Sequence, residues 1–208
     1  MGVWNDRVVP RLTEASMRSN ELDELRREAC APLTGRVLEL GFGSGLNVRW
    51  YPPGVTSISA VEPSDVGWRL SEGRRSRTSV PVDRRGLDGQ RLDEPDASYD
   101  GVLTTFTLCS IPDPALALAE SRRVLTSDGV LCVLEHGLSP DPGVARWQHR
   151  LDPLQRRVFG GCHLSRDMPA LVTDAGFEIT MMRAEQLPGP AVSRPWTYGY
   201  LLVARPRA

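Results

Sequence analysis

The chain has 208 residues, 40% of them hydrophobic, which is enough for one domain with a full hydrophobic core. Its 25 basic residues are all arginine and its net charge is −1, so the composition offers no basic face for nucleic acid. The four cysteines form no C-x-x-C pair, and we expect no metal. No apolar run approaches the ~20 residues that span a bilayer, and no signal peptide is visible. We therefore expect a cytoplasmic protein with reduced cysteines, no nucleic-acid partner and no integral membrane association.

An amphipathic helix is predicted near the start of the chain, over residues 5 to 29. Its apolar stripe recurs at spacings of three and seven and consists of Leu12, Ala15, Leu22 and Leu25. The stripe alone favours a helix that packs against the edge of a sheet. A turn marked by Pro32 and Gly35 then leads into the first strand.

The stretch from Val37 to Gly45 predicts a buried strand, a glycine turn and the start of a helix. Glycines at positions 41, 43 and 45 let the backbone turn sharply and leave no side chain between it and a bound ligand. A dinucleotide-binding turn would need its third glycine at position 46, where this chain has Leu46. The spacing therefore argues against a pyrophosphate and for a nucleoside without one.

A second signal for a ligand site, an acidic residue, follows about twenty residues later. A short strand predicted over residues 57 to 61 ends in Glu62. Parallel α/β folds hold the two ribose hydroxyls of a nucleoside with a carboxylate at the tip of the second strand. The alternative is that Glu62 caps the next helix or faces water. Taken with the glycine turn, Glu62 predicts a nucleoside site.

The rest of the chain alternates between predicted helices and strands. A short helix is expected from Gly45 to Trp50, and its free N–H groups would suit a carboxylate. Further helices are expected after the capping residues Ser64, Asp113 and Ser165, and over 144–159 with a break at Pro153. Further strands are expected at 80–82, 100–105, 130–134, 177–182 and 198–204.

The pattern Glu39-x-Gly41-x-Gly43-x-Gly45 followed by Glu62 resembles the class I S-adenosylmethionine-dependent methyltransferases. The resemblance runs from about position 34 to the end. Within that family the chain is similar to the small thiol methyltransferases of eukaryotic membranes. That narrower resemblance depends on Gly45-Leu46-Asn47, Tyr51-Pro52, Leu108-Cys109-Ser110, Glu135-His136 and Gly161-Cys162-His163-Leu164-Ser165-Arg166.

The resemblance implies an α/β fold with a single doubly wound, Rossmann-like sheet of seven strands. The sheet would be mostly parallel, with an antiparallel C-terminal strand in a hairpin at one edge. Residues 1–33 would form an N-terminal helical lid and residues 34–208 the methyltransferase domain. We expect a monomer or a homodimer.

The implied cofactor is S-adenosylmethionine, with S-adenosylhomocysteine as its product. Its methionine carboxylate would lie at the helix after Gly45 and its adenine at Asp88-Gly89, although an Asp-Gly pair is also a common solvent-exposed turn. Because ligands of open α/β sheets bind beyond the carboxyl ends of the strands, residues just after the fourth strand are also candidates. The expected cofactor-binding residues are Glu39, Gly41, Gly43, Gly45, Asn47, Glu62, Asp88, Gly89, Thr105 and Phe106.

The expected reaction is methyl transfer to a small molecule, with a thiol as the first expectation for the acceptor. An oxygen or nitrogen acceptor, such as a phenol, quinone, lipid head group or secondary metabolite, stays open, as does a cofactor-binding module without activity. His136 and His163 are the candidate bases, and a structural imidazole is the alternative for each. The expected substrate pocket consists of Trp4, Met17, Cys109, Glu135, Gln148, Cys162 and Arg166.

Overall fold

The computed structural model describes residues 8–207, so Trp4 lies outside the described residues. Its seven-stranded sheet has the order β3-β2-β1-β4-β5-β7-β6. The strands are β1 (Gly35–Leu40), β2 (Val55–Val61), β3 (Val82–Gly86), β4 (Tyr99–Thr105), β5 (Leu125–His136), β6 (Phe177–Gln186) and β7 (Tyr198–Pro206). The first five strands in this order, from β3 through β2, β1 and β4 to β5, are parallel to one another. Strand β7 lies between β5 and β6 and is antiparallel to both. This arrangement confirms the predicted doubly wound sheet with an antiparallel C-terminal strand.

Helices cover both faces of this sheet. They are α1 (Val9–Ser16), α2 (Asn20–Cys30), α3 (Asp65–Leu70), α4 (Glu72–Arg75), α5 (Pro114–Val124), α6 (Pro142–Val158) and α7 (Met168–Asp174). Short 3₁₀ turns occupy Val48–Trp50 and Ala191–Trp196. None of the helices between residues 8 and 207 is both long enough and apolar enough to cross a membrane.

The central strand β5 separates two hydrophobic cores because its side chains alternate between the faces. Leu131 and Val133 join the core formed with α5 and α7, whereas Cys132 and Leu134 join the core formed with α2. A strand buried on both faces reads as a continuous apolar run, as the sequence predicted for residues 130–134. The two cores hold the carboxyl ends of β1, β2, β4 and β5 along one edge, where the candidate site lies.

The helix expected over residues 5–29 is wrong as a single element, because the chain forms α1 and α2 with a break between them. The Ser19 side chain accepts the N–H of Leu22 and caps the second helix. The helix expected from Gly45 to Trp50 is also shorter than predicted. Its 3₁₀ turn begins at Val48, so no α-helical amino terminus follows the glycines directly.

Other predicted features also differ from the structure. Strand β3 begins at Val82 and not at residue 80, and β5 begins at Leu125 and not at residue 130. Helix α6 continues through Pro153 without the predicted break. Helix α7 is capped by Asp167 and not by Ser165, because the Ser165 hydroxyl donates to Asp152 instead.

Candidate functional site

The loop between β1 and the first 3₁₀ turn depends on glycine for two different reasons. Gly41, Gly43 and Gly45 all have positive φ, at 70°, 57° and 75°. A Cβ added to Gly41 would lie 1.9 Å from Thr107 Oγ1, so that position is closed by packing. A Cβ added to Gly43 would meet nothing closer than the Gly41 carbonyl at 3.9 Å. Gly43 therefore lines open space that a ligand can fill.

Glu62 lies at the tip of β2 and holds this loop in place. One of its carboxylate oxygens accepts the N–H of Gly43 at 2.6 Å, and the other accepts the N–H of Ser64 at 2.7 Å. Burial raises the pKa of Glu62, while these two N–H groups oppose the rise. Each oxygen has a second lone pair, so the carboxylate can still accept from hydroxyl groups beside Gly43.

A buried polar network lies beneath the glycine loop. The Glu39 carboxylate accepts hydrogen bonds from the Asn47 amide at 2.7 Å and from the Tyr51 hydroxyl. The Arg26 guanidinium donates to Asn47 at 2.8 Å and to Thr105 at 3.0 Å. Three predicted cofactor residues, Glu39, Asn47 and Thr105, are therefore bonded to one another or to Arg26 inside the protein.

Arg26 was not predicted, and its environment is unusual for a cation. Its side chain is buried at 3% exposure, and its Nε has no hydrogen-bond partner among residues 8–207. Burial lowers the pKa of Arg26, and the charge of Glu39 opposes this. The sequence did hold one indication that Arg26 is buried. It lies on the apolar side of α2, next to Leu25 and one turn from Ala29.

Burial also shifts the pKa of Glu39, the acid in this network. It raises the pKa of Glu39 to about 7, against the hydrogen bonds from Tyr51 and Asn47 and the charge of Arg26. The Glu39 side chain is fully buried. Its ionisation is therefore coupled to folding near neutral pH.

The turn after β4 has a strained backbone that Glu135 holds. Phe106 has a φ of 52°, a conformation that a non-glycine residue rarely adopts. A Glu135 oxygen accepts the N–H groups of Thr107 at 2.6 Å and Leu108 at 2.8 Å. The Arg26 guanidinium lies 5.4 Å from the Phe106 ring centroid. Glu135 thus shapes the wall next to the glycine loop.

The predicted adenine-binding pair follows β3. Asp88 is exposed, and one of its oxygens accepts both the backbone N–H and the side-chain amide of Gln90 at 2.9 Å. These bonds lower the pKa of Asp88. Gly89 is buried, and a Cβ there would lie 3.2 Å from Leu40. Asp88 and Gly89 thus have the geometry of the Asp-Gly turn that was the alternative to adenine binding. Because Gln90 bonds to only one Asp88 oxygen, the other could still accept from adenine, and adenine binding stays a prediction.

Three predicted residues from separate segments of the chain meet at the carboxyl ends of β4 and β5. His136 Nε2 lies 3.2 Å from the Cys162 sulfur, which lies 3.8 Å from the Cys109 sulfur. We call these three residues the sulfur–imidazole cluster. All three ligand atoms lie within 4.8 Å of one another. The Thr107 side chain packs directly against Gly41, and Cys109 follows two residues later. The cluster therefore adjoins the glycine loop.

Charge within the cluster is divided unequally. The hydrogen bond between Cys162 and Cys109, then the hydrogen bond and charge of His136, lower the pKa of Cys162 well below its usual range, although burial opposes this. The bond to Cys162 and burial raise the pKa of Cys109. Burial lowers the pKa of His136, but its contact with Cys162 outweighs this and leaves it raised. Cys162 is thus the more acidic thiol.

The other predicted pocket residues have structural partners. His163 Nδ1 lies 3.3 Å from the Asp152 carboxylate, a partner that the sequence did not reveal. Burial and the charge of Arg166 lower the pKa of His163. Arg166 donates to the Leu108 carbonyl. Gln148 is fully buried, and its amide bonds to backbone groups on either side of α6, so it anchors that helix and does not face the cluster.

Helix α1 touches both loops of the site. The Glu14 carboxylate accepts from the Ser44 hydroxyl and from Arg74 at 2.8 Å, and Arg74 also donates to the Ser44 carbonyl. At the other end, a Cβ on Gly160 would lie 3.4 Å from Val9. Met17 is partly buried at the end of α1. The sequence analysis did not single out Glu14 or Arg74.

Comparison with known proteins agrees with this geometry. Residues 38–133 match the family model described as a methyltransferase domain. Thiol S-methyltransferase TMT1B of Rattus norvegicus is 34% identical over 63% of this chain and 55% of its own length. TMT1B of Homo sapiens is 34% identical over 71% of this chain and 62% of its own length. The chain therefore spans less than two thirds of these relatives.

A solved structure has the same fold. The S-adenosylmethionine-dependent methyltransferase from Mesorhizobium loti superposes with a TM-score of 0.65 at 18% identity, over 90% of this chain and 98% of that one. Residues 38–133 are a methyltransferase domain, and the chain is similar to the class I S-adenosylmethionine-dependent methyltransferases in both sequence and fold.

A first prediction concerns the open space at Gly43. Gly43→Ala would place a methyl group in that space and force alanine to adopt a φ of 57°. We expect the methyltransferase to fold but to bind S-adenosylhomocysteine at least about tenfold more weakly, or ~1.4 kcal/mol, by calorimetry. The control is Gly73→Ala in α4, where an added Cβ meets nothing within 4 Å. Unchanged affinity in a folded Gly43→Ala protein would place the ligand elsewhere.

A second prediction concerns the pH dependence of stability. The folded pKa of Glu39, about 7, lies above the ~4.3 of an unfolded glutamate, so the folded protein binds more protons between these values. Wild-type stability should therefore fall, relative to Glu39→Gln, as pH rises from about 5 to about 8, by on the order of 2 kcal/mol. Urea unfolding of both proteins measures this difference. A difference that does not change with pH would show that Glu39 is ionised throughout.

Proposed function

We propose that this methyltransferase transfers a methyl group from S-adenosylmethionine to a small-molecule thiol. The observation that carries the proposal is the open space at Gly43 beside the Glu62 carboxylate. Two relatives named as thiol S-methyltransferases support a sulfur acceptor. We expect the protein to act in the cytoplasm, as a monomer or a homodimer.

The residues present fit the cofactor. In the proposed complex, the Glu62 carboxylate accepts hydrogen bonds from the ribose hydroxyls, and Asp88 with Gly89 holds the adenine. Arg26 is a buried guanidinium with an unsatisfied Nε and no ion pair among the described residues, which suits it to the methionine carboxylate. Arg26 therefore takes the role that the sequence had given to the helix amino terminus and Asn47.

The chain's own contribution to the reaction is mainly orientation. The bound cofactor supplies a methyl group on a sulfonium, which is already a good leaving group. Holding the acceptor in line with that group can lower the barrier by about 7–11 kcal/mol. A thiol has a pKa near ~8.5 and ionises readily, so the base has little to do. His136 and His163 remain the candidate bases, and Asp152 orients the second.

Residues 1–33 act as a lid in this proposal. Helix α1 contacts the glycine loop through Glu14 and the loop near Gly160 through Val9, so it lies across both binding regions. A cover in that position excludes water from the reacting groups. Methyltransferase activity would then require α1 to move for ligands to enter.

A third prediction separates the acceptor classes. We expect labelled methyl transfer to small thiols, measured by product mass, and little to matched phenols and amines. Transfer to phenols or amines but to no thiol would defeat the sulfur assignment. Tight binding of S-adenosylmethionine without any product across the panel would favour a cofactor-binding module without activity.

A fourth prediction tests Arg26. Arg26→Leu should weaken binding of S-adenosylmethionine by at least about tenfold, the equivalent of one lost charge-assisted hydrogen bond. The matched control is Arg27→Leu on the same helix, because Arg27 is exposed and pairs with Glu24. A compound that lacks the carboxylate, methylthioadenosine, should bind the wild type and Arg26→Leu equally. Equal loss for both ligands would assign Arg26 a purely structural role.

A further inference from the structure

The sulfur–imidazole cluster brings together two thiols and one imidazole, which are ligand types of zinc sites. Within residues 8–207, Cys109, His136 and Cys162 are the one group of three or more potential ligand residues close enough to share a metal. All four cysteines are free thiols, and the sulfurs of Cys109 and Cys162 are 3.8 Å apart. Thiolate and imidazole ligands together favour zinc over magnesium or calcium.

The spacing of the cluster matches tetrahedral zinc. Zn–S bonds of ~2.3 Å and Zn–N bonds of ~2.05 Å separate two sulfurs by about 3.8 Å and a sulfur from a nitrogen by about 3.5 Å. The corresponding distances here are 3.8 Å between Cys109 and Cys162, and 3.2 Å between Cys162 and His136 Nε2. These two distances are within a few tenths of an ångström of the zinc values, and the third pair, Cys109 with His136, lies within 4.8 Å.

The imidazole of His136 also lacks a fixed partner on its other side. Its Nδ1 is buried without a hydrogen bond to any described residue, so the ring is held through the contact of Nε2 with Cys162. The amide nitrogen of Gln155 also lies 3.5 Å from the Cys162 sulfur.

We propose that the sulfur–imidazole cluster binds one Zn²⁺ through Cys109, His136 and Cys162, and that its fourth position receives the sulfur of the methyl acceptor. This inference rests on the proposed thiol methylation. Catalytic zinc sites keep three protein ligands and one open position, whereas structural sites are closed by four. The cluster has three ligands, and it adjoins the loop that would hold the cofactor.

In this site His136 is a zinc ligand and is no longer a candidate base, and the metal accounts for deprotonation of the acceptor. A thiol that coordinates zinc loses its proton, which passes to solvent. The bound sulfur then forms a bond to the methyl carbon, and the bond from that carbon to the sulfonium breaks with its electron pair going to the sulfonium sulfur. The products are a thioether, S-adenosylhomocysteine and one proton, with no oxidation or reduction. The neutral thioether is a weaker ligand and leaves the metal.

The first test is metal content. The full chain, made without a polyhistidine tag, should hold about one zinc per molecule by elemental mass spectrometry. Cys162→Ser and His136→Gln should each reduce the zinc content to roughly a tenth or less. Cys132→Ala is the control, because Cys132 is buried in the core on the opposite face of the sheet from Cys109. Binding of S-adenosylhomocysteine by each variant confirms that it is folded.

The second test examines the fourth position with Co²⁺ in place of zinc. Tetrahedral cobalt with thiolate ligands should give charge-transfer absorption in the near ultraviolet, and 2-mercaptoethanol should shift that spectrum. Ethylene glycol, with hydroxyl groups only, is the control and should leave it unchanged. A spectrum that 2-mercaptoethanol does not alter would overturn the open site.

The outcomes separate this inference from the proposed function. Zinc-free protein that methylates thiols at the full rate would overturn the metal site and leave the methyltransferase activity intact. Zinc that is retained in both Cys162→Ser and His136→Gln would overturn the ligand set. Stoichiometric zinc, lost in these two variants and kept in Cys132→Ala, would support it. Methylation of phenols or amines in place of thiols would defeat the proposed function while leaving the zinc measurement valid.

Discussion

The site is organised by the hydrogen bond from the Gly43 N–H to the Glu62 carboxylate. This bond joins the loop after β1 to the tip of β2, and it exists because Gly43 adopts a φ that other residues avoid. Gly41 and Gly45 are glycine because neighbouring side chains fill the space around them, whereas the space at Gly43 is open. One loop thus combines two tightly packed positions with one position left for a ligand.

A buried network of charges supports that loop from below. Arg26 reaches across from α2 to Asn47 and Thr105, and Asn47 in turn binds Glu39. Burying an arginine and a glutamate is costly unless other polar groups compensate. Here Arg26 has an unsatisfied Nε, and burial raises the pKa of Glu39. This incomplete compensation is typical of a binding site, where a ligand supplies the missing partner.

Much of the fold could be predicted from sequence, because its signals are local. Apolar runs, capping residues and glycine spacing identified the strands, the cap at Asp113 and the loop after β1. Arg26 and the Asp152 partner of His163 could not be predicted, because each depends on contacts between distant segments. The sulfur–imidazole cluster failed the usual spacing test for a metal site because Cys109 and Cys162 are 53 residues apart. Their proximity arises because the loop after β4 meets the loop between α6 and α7.

The most direct test of the account is a crystal structure of the chain with S-adenosylhomocysteine. The account predicts the ribose hydroxyls within hydrogen-bonding distance of Glu62, with the nucleoside lying over Gly43. A nucleoside bound away from these two residues, or a ligand whose ribose contacts a different carboxylate, would contradict it.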